Sequence, residues 1–149
     1  MNRYHTWLLP LVLVVILATP VAAQFPLTVF TSDGRTVIFD KPPERIIAFD
    51  SAVVEILFAI GEGARIVGIH NFVSHPPQAN IIPRFGDAYT IDLEGVIETE
   101  PDLVVVFHST FIEDLERAGL KVLFRETLSE NFERVADNIL LWGQITGSD

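Results

Sequence analysis

The sequence predicts an α/β fold, a parallel sheet flanked by helices with a β-hairpin in front of it. Three observations predict this. After residue 45 the hydrophobic pattern alternates between short β-prone runs and helical segments. The central runs 46–49, 66–69 and 103–107 are continuously apolar, as expected of strands covered on both faces. Before residue 45, two β-prone runs flank a turn sequence.

The elements follow in order. Residues 27–31 and 36–40 form the hairpin, joined by Ser32-Asp33-Gly34-Arg35 and ended by Lys41-Pro42-Pro43. Residues 45–49 are a strand. Residues 51–60 are a helix whose one charge is Glu55, which predicts burial nearly all round, and Gly61 and Gly63 stop it. Residues 65–69 are the next strand. A long loop with Pro76, Pro77 and Pro83 spans 70–90. Asp92 caps a short helix to Glu98. Residues 103–107 are the most strand-like run in the chain. Thr110-Phe111-Ile112-Glu113 reads as a capping box for a helix to Ala118, which Gly119 ends. Residues 121–124 are a strand. Thr127-Leu128-Ser129-Glu130 is a second capping box, opening a helix to about Trp142. The succession reads as a Rossmann-like parallel sheet.

Composition narrows the function. The 149 residues hold 49% apolar and 20% charged side chains, enough for a packed core. A formal charge of −10 argues against nucleic-acid binding, which needs a basic face. With no Cys there is no disulfide, thiol nucleophile or Cys-ligated zinc. Residues 1–23 read as a signal peptide. Arg3 is its positive start, 8–18 its apolar core, and Val21 and Ala23 the small residues before cleavage. That core is short for a membrane span, so the protein is expected to be exported, with no stable membrane insertion after cleavage. Residues 24–149 form the single domain.

Ligands of open parallel sheets bind beyond the carboxyl ends of the strands. The loops there carry Asp50-Ser51, residues 70–75 from His70 to His75, and His108 to Phe111; a further segment, 85–89, precedes the helix at 92. Two readings of this placement stay open: metal or haem ligation by His70, His75 and His108, or polar and aromatic lining for a bulky ligand. Catalytic signals are weak. Ser51 lacks a nucleophile-elbow sequence, and Gly61-Glu62-Gly63 lacks the third glycine of a phosphate loop. An exported hydrolase using Ser51 and a nearby His is the enzymatic alternative; the chain is otherwise expected to be no enzyme and to need no cofactor.

Several stretches carry a family resemblance: 34–61 (GRTVIFDKPPERIIAFDSAVVEILFAIG), 65–69 (RIVGI), 75–79 (HPPQA), 91–107 (IDLEGVIETEPDLVVVF), 119–124 (GLKVLF) and 142–147 (WGQITG). In order and spacing they resemble the substrate-binding proteins of ABC importers for ferric siderophores, haem and vitamin B12. These are bilobed, with lobes joined by a long helix. The resemblance implies that 24–149 is the N-terminal lobe, with the second lobe missing after Asp149. It implies capture of an iron–siderophore, haem or corrinoid and delivery to an ABC permease. Ser51, Asn71, Phe72, His75, Tyr89, His108 and Phe111 would line the ligand, and Glu94 would dock the permease, with Gly95 leaving room for close approach. Where the vitamin B12 pattern has an aromatic residue, this chain has Ala88, with Tyr89 beside it. Phe132, Leu140, Leu141 and Trp142 are expected to form the apolar surface that meets the second lobe.

Overall fold

The computed structural model describes residues 25–126 and 132–148. Residues 1–23, read above as a signal peptide, and the capping box expected at 127–130 lie outside the described residues. Strands β1 (Leu27–Phe30) and β2 (Thr36–Phe39) pair antiparallel, with Gly34 at φ +83° in the turn. Then follow β3 (Ile46–Ala48), α1 (Ser51–Ala59), β4 (Ile66–Ile69), α2 (Leu93–Glu98), β5 (Leu103–Val106), α3 (Ile112–Arg117), β6 (Val122–Phe124) and α4 (Phe132–Thr146). The four later strands form one parallel sheet in the order β4-β3-β5-β6.

Continuous apolarity means burial on both faces. Ile46, Ala48, Leu103, Val105 and Leu123 pack with Val54 and Leu57 of α1, Trp142 and Ile145 of α4, and Val29 and Phe39 of the hairpin. Ile47, Val104, Val106 and Val122 pack on the other face with Val96 of α2 and Ile112 and Leu115 of α3. Each such aliphatic side chain contributes about 1.5–3 kcal/mol by leaving water.

Four expectations are corrected. Helix α1 is not buried all round: Ser51, Ala52, Glu55 and Ala59 are exposed, because only one of its sides meets the sheet. The capping box at Thr110 does not form. The His108 side chain accepts from the Thr110 amide and opens a 3₁₀ turn (Ser109–Phe111), so α3 starts at Ile112, and Glu113 pairs instead with Arg117. Helix α4 runs past Trp142 to Thr146, since Trp142 and Ile145 share its buried face, and Gly147 at φ +73° ends it. Trp142, 1% exposed, is core and not an open surface, whereas Leu140 is exposed and Leu141 half-buried. The side chain of Phe132 lies outside the described residues.

The two ends of the sheet differ in construction. At the amino ends, Asp102 accepts from the amides of Glu44 and Arg45 at 2.8 and 2.9 Å, and the Arg45 guanidinium donates to the carbonyls of Thr99 and Glu100. Arg65 pairs with Glu62 and donates to the Pro43 carbonyl at 2.8 Å. These bonds fasten chain to chain. The carboxyl ends carry the loops that contain the candidate residues.

Candidate functional site

The strand order reverses direction between β3 and β5, so the loops leaving these two strands part to opposite sides and open a crevice. From β3 the chain passes through Asp50, buried, whose carboxylate accepts the Ala52 amide at 2.9 Å and caps α1. Ser51 follows, exposed. Its hydroxyl has no hydrogen-bond partner among the described residues. From β5 the chain passes through Phe107 to His108, whose Nδ1 accepts from the Thr110 amide at 3.3 Å and lies 2.6 Å from the Thr110 hydroxyl. A shallow depression joins the two exits, lined by Phe49, Val106, Phe107, His108, Phe111 and Asp87.

The loop after β4 folds back along its own strand. Ile69 donates to the Pro83 carbonyl at 2.9 Å and Phe85 donates to the Ile69 carbonyl at 3.1 Å, so 83–86 extends the sheet edge. Gly68 makes this possible, since a Cβ there would lie 2.5 Å from the Phe85 ring. Beyond it, Asp87 accepts from the amides of Tyr89 and Thr90 at 2.9 and 3.0 Å, and these bonds hold its carboxyl below the usual carboxylate range. The turn lifts Tyr89 to 88% exposure.

His70 leaves β4 buried, and burial pushes its imidazole below its ordinary range; the Asp87 and Asp50 carboxylates oppose that shift and Arg84 adds to it. Its Nδ1 accepts the Phe72 amide at 3.1 Å. Phe72 stands 75% exposed, and Asn71 is exposed beside it. A second hollow of about 340 Å³ holds Asn71, Arg84, Phe85, Thr90 and Asp92.

His75 is elsewhere. It lines a groove of about 400 Å³ between α1 and α4 with Glu55, Ile56, Phe58, Gln78 and Ile139. The three-histidine metal reading therefore fails on geometry. Among the described residues no three His, Asp or Glu side chains gather as a metal-holding group, and the Nδ1 of His70 and of His108 each already takes a backbone amide. Glu94 is exposed in the first turn of α2, where the helix dipole favours a carboxylate. At Gly95 a Cβ would meet the Asp92 carboxylate at 2.6 Å and the Phe85 ring at 3.0 Å, so the α2 N-cap and the Phe85 ring themselves call for glycine there.

Sequence reading missed Arg84. Its guanidinium donates to the carbonyls of His70, Asn71 and Val73 at 3.0, 2.7 and 2.9 Å and shapes the turn that presents Phe72. The available signal was general: a long loop must satisfy its carbonyls, and Arg84 is the one cation in residues 70–90.

Known proteins resemble this chain in sequence and fold. An ABC transporter substrate-binding lipoprotein of Bacillus subtilis is 28% identical over 131 residues, 84% of this chain and 41% of the lipoprotein. The vitamin B12-binding protein of Vibrio cholerae is 28% identical over 102 residues, 66% of this chain and 36% of that protein. The chain thus spans about two fifths of the curated relatives it matches. Among solved structures, an ABC-type Fe3+-hydroxamate transport system protein from Saccharomonospora viridis matches with TM-score 0.67 and 30% identity, covering 84% of this chain and 50% of that one. The Vibrio cholerae vitamin B12-binding protein matches with TM-score 0.61 and 26% identity, covering 70% and 42%. Among the described residues no helix is long and apolar enough to cross a membrane. Residues 46–149 match the periplasmic binding protein family, and the chain belongs to it.

Proposed function

We propose that this chain supplies the N-terminal wall of an exported solute-binding protein that captures a metal chelate, haem or corrinoid and hands it to an ABC permease. The observation that carries the reading is the crevice at the β3/β5 reversal, lined by Phe49, Phe107, His108 and the half-buried Phe111, with Phe72 and Tyr89 exposed on the loop that follows β4. Exposed rings beside a few fixed polar groups suit a bulky, largely apolar ligand. The Bacillus subtilis and Vibrio cholerae relatives, a substrate-binding lipoprotein and a vitamin B12-binding protein, support capture without chemistry. In this reading Ser51, Asn71 and His108 supply hydrogen bonds, and Glu94 meets the permease. His75 is reassigned to the flank, because it faces the α1–α4 groove.

The test is equilibrium titration of a full-length form, in which a second lobe completes the cleft, with ferrichrome, haemin and cyanocobalamin. One of the three is expected to bind in preference to the others. Phe72→Ala or Tyr89→Ala should weaken it by one to two orders of magnitude, the loss of about 1.5–3 kcal/mol that removing a buried ring contact implies. Absence of binding by all three overturns the reading.

A further inference from the structure

One side chain in this wall carries a hydrogen-bonding group with no use inside the fold. His70 is only 8% exposed. Because its Nδ1 accepts the Phe72 amide, the proton of the neutral ring sits on Nε2. Nε2 is buried and has no hydrogen-bond partner among the described residues. Buried donors without partners are rare, because each forfeits the bonds it made to water.

The surroundings say what could reach it. The imidazole is flanked by two rings, Phe72 with centroids 5.4 Å apart and Phe107 at 5.8 Å. Phe107 is half-buried at the end of β5, whereas Phe72 is three-quarters exposed on the turn held by Arg84. Moving the Phe72 ring sacrifices little apolar burial. The two carboxylates that act electrostatically on the imidazole hold backbone amides: Asp87 Oδ1 accepts the Tyr89 and Thr90 amides, and Asp50 Oδ1 accepts the Ala52 amide.

Resting on the reading of this face as a ligand wall, we infer that the His70 Nε2–H group reads an acceptor oxygen on the ligand. Phe72 turns from the imidazole onto the ligand as that oxygen enters. The site therefore selects a ligand whose inserted edge bears a hydroxamate, carboxylate or carboxamide oxygen, and discriminates against one presenting only hydrocarbon there. A site built around a buried donor rejects a partner that leaves it unmade far more strongly than a hydrocarbon pocket rejects a missing methyl group.

The test uses the same full-length form labelled with ¹⁵N. Long-range ¹H–¹⁵N spectra of the imidazoles are recorded free and with gallium-ferrichrome, gallium-protoporphyrin and cyanocobalamin, all diamagnetic. The free protein should show the Nε2–H tautomer at His70. With the probe that binds, that proton should move downfield and exchange more slowly. His70→Leu should weaken the same probe roughly 10- to 100-fold, while His70→Gln, which keeps an N–H donor near the Nε2 position, recovers most of it. An Nδ1–H tautomer in the free protein overturns the inference. So does binding that leaves the His70 signals unmoved, which needs no variant to fold. Binding of no probe overturns the ligand-wall reading and this inference together; binding indifferent to His70 overturns this inference alone.

Discussion

The Arg84 guanidinium donates to the backbone carbonyl of Val73 at 2.9 Å across a loop that holds a single 3₁₀ helix, Pro77–Ile81. With its bonds to the carbonyls of His70 and Asn71, it replaces the ladder that a strand would provide. Arg84→Ala should cost about 1–2 kcal/mol in urea unfolding, less than three charge-assisted bonds would suggest because the side chain is exposed and water competes. Amide exchange should accelerate at Phe72 and Val73 beyond this global change. Arg84→Lys should restore under half of the loss, since a point charge cannot span three carbonyls. Unchanged exchange at those amides would show that the turn holds itself.

The buried His70 imidazole makes stability depend on pH. Its folded pKa lies below the unfolded value of 6.5, so the unfolded chain takes the proton first. The contribution is fully present above pH 6.5 and is lost as pH falls from there toward the folded pKa. The urea midpoint should decline between about pH 7 and 5, and His70→Gln should flatten that part of the curve. Parallel curves for the two proteins would assign the decline to other groups.

Gly68 and Phe85 are fitted to one another. A methyl group at 68 would stand 2.5 Å from the ring and 3.1 Å from Ile47. Gly68→Ala should cost about 1–3 kcal/mol through overpacking. Phe85→Leu in the same chain should relieve part of it, giving a favourable coupling in a double-mutant cycle. Additive effects would mean that the backbone, not the ring, yields.

Glu94→Lys tests the docking proposal. The site is exposed at the start of α2, so stability should fall by no more than about 1 kcal/mol, the scale of a helix-dipole contact. Ligand titrations should be unchanged, while transfer to the permease in reconstituted vesicles should fail. Reversing a facing charge on the permease should recover part of it. Normal transfer by the variant would remove Glu94 from the docking surface.

Much of this architecture is legible in the residues themselves. The runs 46–49, 66–69 and 103–107 announce a sheet covered on both faces, and Gly34, Gly61 and Gly119 sit where the chain turns through positive φ. What could not be read depends on who reaches an atom first. Thr110 has the spacing of a cap, but the His108 imidazole takes its amide. His75 and His108 look equivalent as loop histidines, yet the loop after β4 folds back on its own strand and leaves them in different hollows. The role of Arg84 was hidden because its acceptors are backbone atoms of residues 11–14 positions earlier, and backbone carbonyls leave no trace in side-chain pattern.

The strand order also fixes a sequence of events. Central strand β3 pairs with β4, where Ile46 meets Ile66, and with β5, where Ile46 meets Leu103. The first closure spans a short stretch of chain and the second a much longer one, so the second starts from the larger loss of chain entropy. As the chain is made, β3 and β4 are complete well before β5 exists, and one edge of β3 stays open in that interval. An open, wholly apolar edge is a template for other chains. The hazardous period thus falls before residue 103 emerges, and a holding chaperone should engage segment 46–69 more tightly than any later part.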